Sequence, residues 1–446
     1  MINNSVIAAL KAKIETLFNQ TDSKLGARGR NFLAFIMPGL PISSQDLEFN
    51  LAPNQSSLTR DEALRKAANY ARLVNRIPHV SKSWSSSGGL VWNKYQTILT
   101  QAVVASSEPS PEEIDKFEEA RNFLYQKHEI TDLVGTRIAI VDSPSLATYK
   151  QYQEVYLQAE FEYNALRQAA LESTDPKVVQ EWALNKSTYQ RRVDTARKNW
   201  ITQGYKNEVD KAFAVINQIG RRNPQLLWNQ WREEFELSKL KDLENQEFYL
   251  TYFSPAHFYQ PIAEKQWQQL TLSFSESEIP SSEKTDTPEN LLSSEVSSAP
   301  VQEVDLLVSS LTVDLIRVQI VRPWMNPSIF ESRFWQWPDE REPLSDGKEL
   351  PQGTLPAYAT SIVVARNLNI ELVPDSERNT AVRQDIEAGK SISWGMFSLE
   401  NAALFGSNSI QFDGMQVIAF GCQKLPKSPN PDSKLTWSTN VPRDYK

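Results

Sequence analysis

Two long helical patterns, residues 144–172 and 176–221, joined by a three-residue turn, constrain this chain more than any other feature. Each opens on a polar cap and a proline: Ser143-Pro144 at one start, Thr174-Asp175-Pro176 at the other. Proline lacks an amide to donate, and its fixed φ already suits the first helical turn, so this grammar marks a helix N-terminus. In the first pattern Tyr149, Tyr152, Tyr156, Ala159, Tyr163, Leu166 and Ala170 recur in steps of three and four. In the second, Tyr189, Val193, Ala196 and Trp200 keep that spacing, and Val209, Phe213, Ile216 and Ile219 continue it beyond Gly204. Such seams let helices pack side by side, so the expected unit is an antiparallel αα-hairpin with arms of ~45 and ~70 Å. Gly204 is expected to mark a bend or a close crossing, since glycine weakens a helix interior by about 1 kcal/mol relative to alanine. Asn223-Pro224 ends the run, and a further helix carries Trp228, Trp231 and Phe235.

Around this hairpin the pattern changes twice. Residues 1–142 read as short helices, one opened by Thr59-Arg60-Asp61-Glu62 and another by Ser110-Pro111-Glu112-Glu113, with Ser85–Gly89 as a loop. FLAFIMPGLPI (32–42) reads as a buried helix–turn at a domain junction, because Pro38-Gly39 would stop a helix. From residue 304 onward, alternating apolar runs bounded by glycine and proline turns read as strands: Leu311–Val321, Ser361–Val373, Ser391–Trp394 and Met415–Cys422. A short helix is expected over 378–388, and Gln266–Phe274 alternates as a strand too. Residues 275–303 hold eight serines, seven acidic residues and three prolines, with no aromatic and one lysine. Such a segment cannot bury enough apolar surface to offset its ordering entropy and is expected to be a disordered linker or an insertion between two strands of one sheet.

The expected fold is therefore α+β: a mainly helical N-terminal two-thirds with a long antiparallel hairpin, then a compact β-rich C-terminal domain. The divisions are 1–142 helical, 143–240 hairpin, and 241–274 with 304–446 β-rich, 275–303 being the insertion. With 446 residues the chain is long for one core. A net charge of −8 argues against a general nucleic-acid binder, which needs a basic face for phosphates. The single cysteine, Cys422, excludes an internal disulfide. No apolar run reaches the ~20 residues that span a bilayer. Residues 1–20 lack a signal-peptide pattern, so a cytoplasmic location is expected, with non-classical export left open.

No constellation names a reaction. His79, His128 and His257 fall in no metal-ligand spacing, the glycines form no phosphate loop, and no GxSxG elbow occurs. No catalytic residue, metal or cofactor is expected on these grounds. Two aromatic clusters remain, one spanning Arg322, Trp324, Trp335 and Trp337, the other centred on Trp394. Tryptophan beside arginine suits a binding surface, and large aromatics equally suit a core. Three function classes fit: a non-enzymatic structural or protein-interaction protein whose hairpin docks or assembles with partners; a toxin-like or injected effector that rearranges at membranes; and an enzyme with a dispersed site using carboxylates such as Asp314 or Glu331. The first has the most support. It implies a protein partner or self-assembly, without nucleic acid or a transmembrane segment.

Overall fold

The computed structural model describes residues 2–19, 29–106, 108–173, 175–274, 301–374, 376–406 and 408–437. The structure is α+β, organised on an eight-stranded antiparallel sheet of β1 (Asn31–Ile42), β2 (Tyr252–Ser254), β3 (Gln268–Ser273), β4 (Val308–Val321), β5 (Ala357–Leu372), β6 (Ala403–Phe405), β7 (Ser409–Phe412) and β8 (Met415–Lys424). The spatial order is β1-β8-β5-β4. β3 and β2 share the far edge of β4 end to end, while β7 extends the line of β8 along β5 and carries β6 outside it. The longer helices are α1 (Ile2–Asn19), α2 (Arg60–Val74), α3 (Val91–Gln101), α4 (Pro111–Leu124), α5 (Pro144–Glu172), α6 (Pro176–Thr202), α7 (Lys206–Arg222), α8 (Pro224–Leu237) and α9 (Glu377–Glu387). Among the described residues no helix is long and apolar enough to cross a membrane.

The central strands are buried on both faces. On one face Ile316, Val318 and Ile320 of β4 and Ile362 and Val364 of β5 join a core with Trp92 and Tyr95 of α3 and Trp231 and Phe235 of α8. On the other, Leu311, Val313 and Leu315 of β4 and Val363 and Ala365 of β5 join a core with Leu10 and Ile14 of α1 and with Trp394 and Phe397. Side chains alternate across a strand, so one extra residue changes which face every later residue meets. β5 contains such a change. Its register against β4 moves from Asp314↔Arg366 to Thr312↔Asn369, placing two residues opposite Val313, and Asn367 there has φ +49°. This bulge keeps Leu368, Ile370 and Leu372 on the face of Val363 and Ala365. Asparagine tolerates left-handed backbone better than most residues, and Asn367 also donates to Asp314 Oδ2 (2.8 Å).

Four expectations need correcting. FLAFIMPGLPI is not a helix–turn but β1, paired with β8 from Asn31↔Gln423 to Phe35↔Ala419 and again from Leu40↔Val417. Leu33 and Phe35 enter one core and Ala34 and Ile36 the other, a two-sided pattern that reads as a continuous apolar run. Residues 36–39 loop out of register. There Gly39 lies so close to neighbouring backbone that a Cβ would stand 2.6 Å from Met396 O. Ser86–Leu90 is a strand paired with Arg76–Pro78 rather than a loop, and Tyr125–Asp132 with Gly135–Asp142 forms a β-hairpin within the stretch expected to be helical. The long helix expected over 176–221 is two helices, broken at Gln203-Gly204-Tyr205, where Tyr205 has φ +52°. A Cβ on Gly204 would lie 2.8 Å from Tyr152 Cβ, so the close-crossing reading of that glycine holds. Of the expected linker, 275–300 lies outside the described residues, while Gln302–Glu303 pairs in parallel with Ile392–Ser393. The strands flanking it, β3 and β4, are direct neighbours.

The bulge gives a stability test. Asn367→Gly keeps the backbone conformation accessible and loses only the bond to Asp314, whereas Asn367→Ala also meets the left-handed penalty. Alanine should be less stable than glycine by about 1 kcal/mol in chemical denaturation, with both below wild type. The reverse order would contradict this account of the register.

Candidate functional site

The residues singled out as a binding surface are core. Trp324, Trp335 and Trp394 have no accessible area, Arg322 is buried and Trp337 is partly buried. They do not converge: Trp324 and Trp335 belong to the core on one face of the sheet and Trp394 to the core on the other. Trp324 meets Trp92, Tyr95 and Phe235 edge-on, and Trp335 lies between Trp228 and Trp337. A ring without accessible area cannot stack on a ligand arriving from solvent. Only Trp337 has an outer face, and the Arg341 guanidinium stands 4.9 Å from its centroid.

Arg322 is explained by a helix end. α2 stops at Val74, and the negative end of a helix favours a cation. Arg322 donates through Nη2 to Val74 O (2.9 Å) and through Nε to Asn75 Oδ1 (2.6 Å). Asn75 in turn donates to Ala71 O (2.7 Å) and Thr251 Oγ1 (3.0 Å), and Trp324 Nε1 donates to the same hydroxyl (3.4 Å). The guanidinium also lies 5.8 Å from the Tyr358 centroid. Burial lowers its pKa to about 10, which still leaves it protonated at neutral pH. The same burial pushes the Cys422 thiol well above its usual range, against the opposing charge of Arg322, so the thiol is a filler.

The two carboxylates considered for a dispersed site are engaged elsewhere. Asp314 faces Arg366 (Nε at 3.7 Å) and Asn367, and Glu331 meets Arg30 Nη1 at 2.6 Å. The histidines are apart: His79 contacts Ser85 Oγ (3.0 Å) and His128 contacts Gln126 Oε1 (2.9 Å), while His257 lies in the loop after β2. Among the described residues no group of three or more His, Cys, Asp or Glu side chains stands in range to hold a metal ion.

One titratable group gave no signal in the sequence. Glu234 of α8 accepts from Gln230 Nε2 (2.7 Å), one turn earlier. Arg121 and Lys127 are both bonded to Glu233, and among the described residues no cation is paired with Glu234. Burial pushes its carboxyl up to about 7, opposed by Gln230 and Arg121 and reinforced by Glu233.

The remaining candidate is the hairpin. α5 and α6 interlock through their aromatic seam, with Trp200 between Tyr149 (5.1 Å) and Tyr156 (5.5 Å) and Trp182 between Tyr163 (5.3 Å) and Tyr189 (6.1 Å). At the base Tyr149 bonds Asp210 (3.1 Å) and Tyr152 bonds Gln203 (2.7 Å). Midway along α5, Phe161 stacks on Phe18 of α1 (6.3 Å), which holds that helix against the body. α6 lies outside it. Lys177, Leu184, Arg191 and Lys198 recur every seven residues on one stripe of α6, and all four are exposed. Exposed large apolar side chains gather on this arm: Val155, Leu157, Leu166 and Leu171 on α5, and Val178, Val179, Leu184 and Ile201 on α6.

Two outcomes follow. Trp324→Ala should cost about 3–5 kcal/mol in denaturant unfolding, as for other buried tryptophans; a folded variant of wild-type stability would return Trp324 to the surface. For Glu234, the folded-state pKa stands above the unfolded value near 4.5. Its contribution is therefore fully present below that value and is lost as pH rises towards 7. Glu234→Gln should thus gain on wild type by about 2 kcal/mol between pH 5 and pH 8. A Tm difference that stays flat across that range would contradict the assignment. No protein-family model, curated protein or solved structure matches this chain.

Proposed function

We propose that this chain is a non-enzymatic interaction protein whose body carries the α5–α6 hairpin as a docking arm. One observation carries the reading. Eight of the fifteen exposed large apolar side chains among the described residues lie on these two helices, Leu171 and Leu184 at 70% and 72% exposure. Apolar groups gathered on one exposed element mark interaction surfaces more often than chance scatter does. Trp324 and Trp335 are buried, and Asp314 and Glu331 are ion-paired with Arg366 and Arg30, which favours the docking reading over a dispersed enzyme site.

The membrane-active reading keeps one observation of its own. Leu171, Val178 and Val179 flank the turn at the arm's end and are exposed. Co-sedimentation of the protein with anionic vesicles addresses it, and recovery of all protein in the supernatant would end it.

The docking reading is tested by placing a photo-crosslinking residue at Leu184 and, as a control, at Ile262, which is 85% exposed on the body. In cells expressing the full chain, the arm position should give a discrete protein adduct that the body position does not. Equal yields at both positions would overturn the reading.

A further inference from the structure

We infer that β3 is a docking edge for a second copy of this chain, the two β3 strands pairing antiparallel about a two-fold axis that passes by Thr271 and runs perpendicular to the sheet. The inference concerns a surface apart from the arm and does not depend on the docking reading above. β3 lies at one end of the strand order, paired with β4 on one side. The phase of that ladder is set just past its end, where Phe274 N donates to Ser309 O (2.8 Å). In an antiparallel pair, residues that bond across the ladder alternate with residues that do not. Gln268, Leu270 and Leu272 therefore bond to β4, and Gln269, Thr271 and Ser273 turn their N–H and C=O groups outward. Among the described residues none of these outward groups has a hydrogen-bond partner.

Elsewhere the edges of the sheet are blunted. Along β1, Phe35 donates to Lys82 O (2.7 Å) and accepts from Trp84 N (2.8 Å), while Pro38 and Pro41 have no amide to offer. On β2 the Phe253 carbonyl accepts from Asn50 Nδ2 (2.9 Å), and Pro255 follows the strand. β6 is only 3 residues long. Charges, prolines, bulges, short strands and covering segments are the devices that keep an edge from pairing. β3, with the sequence QQLTLS, has no charge, no proline and no register shift against β4.

The occupant follows from the register. A two-fold contact is made by the same patch on both copies, so the edge must complement itself. Thr271 is the middle one of the outward residues. With the axis beside it, Thr271 exchanges both its bonds with the partner's Thr271, and Gln269 exchanges both with the partner's Ser273. Every outward group on either edge is then paired. Side chains match in the same register. Leu270 stands opposite the partner's Leu272, on the face where Leu270, Leu272 and Phe274 already pack against the second core. Thr271 stands opposite its own copy on the other face, where it is exposed. Directly opposed pairs of this kind stabilise a sheet, and no like charges meet across the axis.

An edge of 6 residues is ~20 Å long, short of a standard interface, so the association is weak. The test is sedimentation velocity of the full chain from tens to hundreds of micromolar, in which the mass should rise from 50.8 kDa towards twice that value. Thr271→Lys and Thr271→Glu alter an exposed side chain and set like charges against each other at the axis. Each alone should weaken association about fivefold or more, with an unchanged far-UV spectrum. Mixed in equal amounts, the two variants set lysine against glutamate and should recover it. As a second measure, Thr271→Cys should give a two-chain product with a short bis-maleimide, Cys422 being buried, whereas Ile262→Cys on the exposed loop should not. A wild-type monomer at hundreds of micromolar overturns the inference. So does a dimer indifferent to both charge substitutions, a mixture no tighter than its components, or equal crosslinking at the two cysteine positions, because the copies then do not meet at Thr271.

Discussion

A sheet buried on both faces needs two covers, and most of this structure follows from supplying them. β4 and β5 are 14 and 16 residues long, with apolar side chains directed to either side along most of their length. Burying a Leu- or Ile-sized side chain is worth ~1.5–3 kcal/mol, so neither face can be left to solvent. One cover is α2, α3 and α8 with the aromatic segment 324–335. The other is α1 with Val304, Leu306, Val382, Trp394 and Phe397. β1 and β8, from opposite ends of the chain, pair directly. Segments far apart in sequence are thus tied into one packing problem, and the bulge at Asn367 solves it locally by holding β5 in phase with the second cover.

The first cover is unusually aromatic, and that explains why a buried arginine is tolerated in it. Tryptophan and tyrosine bring polar atoms that need partners once buried. The end of α2 brings carbonyls that lack helical partners. Arg322 meets these needs at one point: it takes the Val74 carbonyl and the Asn75 amide, while Thr251 takes Asn75 and Trp324. The charge is compensated by oriented dipoles and a ring face, a less costly arrangement than an isolated ion in an apolar medium. This junction connects α2, the strand region around residue 250 and the end of β4. It is structural in every contact it makes.

How much of this was legible in the sequence depended on the range of the signal. Caps act within one turn, so α2, α4, α5 and α6 start where Thr59, Ser110, Ser143 and Asp175 say they should. After residue 304, β4, β5, β8 and the strand Ile392–Trp394 were legible from alternation and turns, whereas the short β6 and β7 were not. β1 was not, because a strand buried on both faces loses its alternation and a Pro-Gly pair inside it looks like a stop. The Tyr125–Asp142 hairpin was hidden because polar residues stand exposed on both of its faces, such as Lys127, His128 and Glu129 in succession. Whether Trp324 and Trp335 were core or surface could not be read locally, since Trp335 is covered by Trp228, more than a hundred positions earlier. The aromatic seam of the arm was legible as packing.

The break at residues 203–205 gives the arm its independence. A continuous helix from 176 to 221 would carry the seam ~70 Å in one direction, taking Val209, Ile216 and Ile219 away from the body. All three are instead in the first core, beside Leu227 and Trp228. The chain therefore has to turn just after Trp200, and the turn has to pass close to α5, where Gly204 clears Tyr152 and Tyr205 takes left-handed backbone. Lys206, the first residue of α7, then lies over the Trp200 ring (4.8 Å) and fastens the junction from the other side. α7 can satisfy the core while α6 remains paired with α5 alone along its outer length. Because α6 owes nothing to the core on its outward stripe, that stripe is free to carry lysine, leucine and arginine, groups that a core-facing helix could not place there.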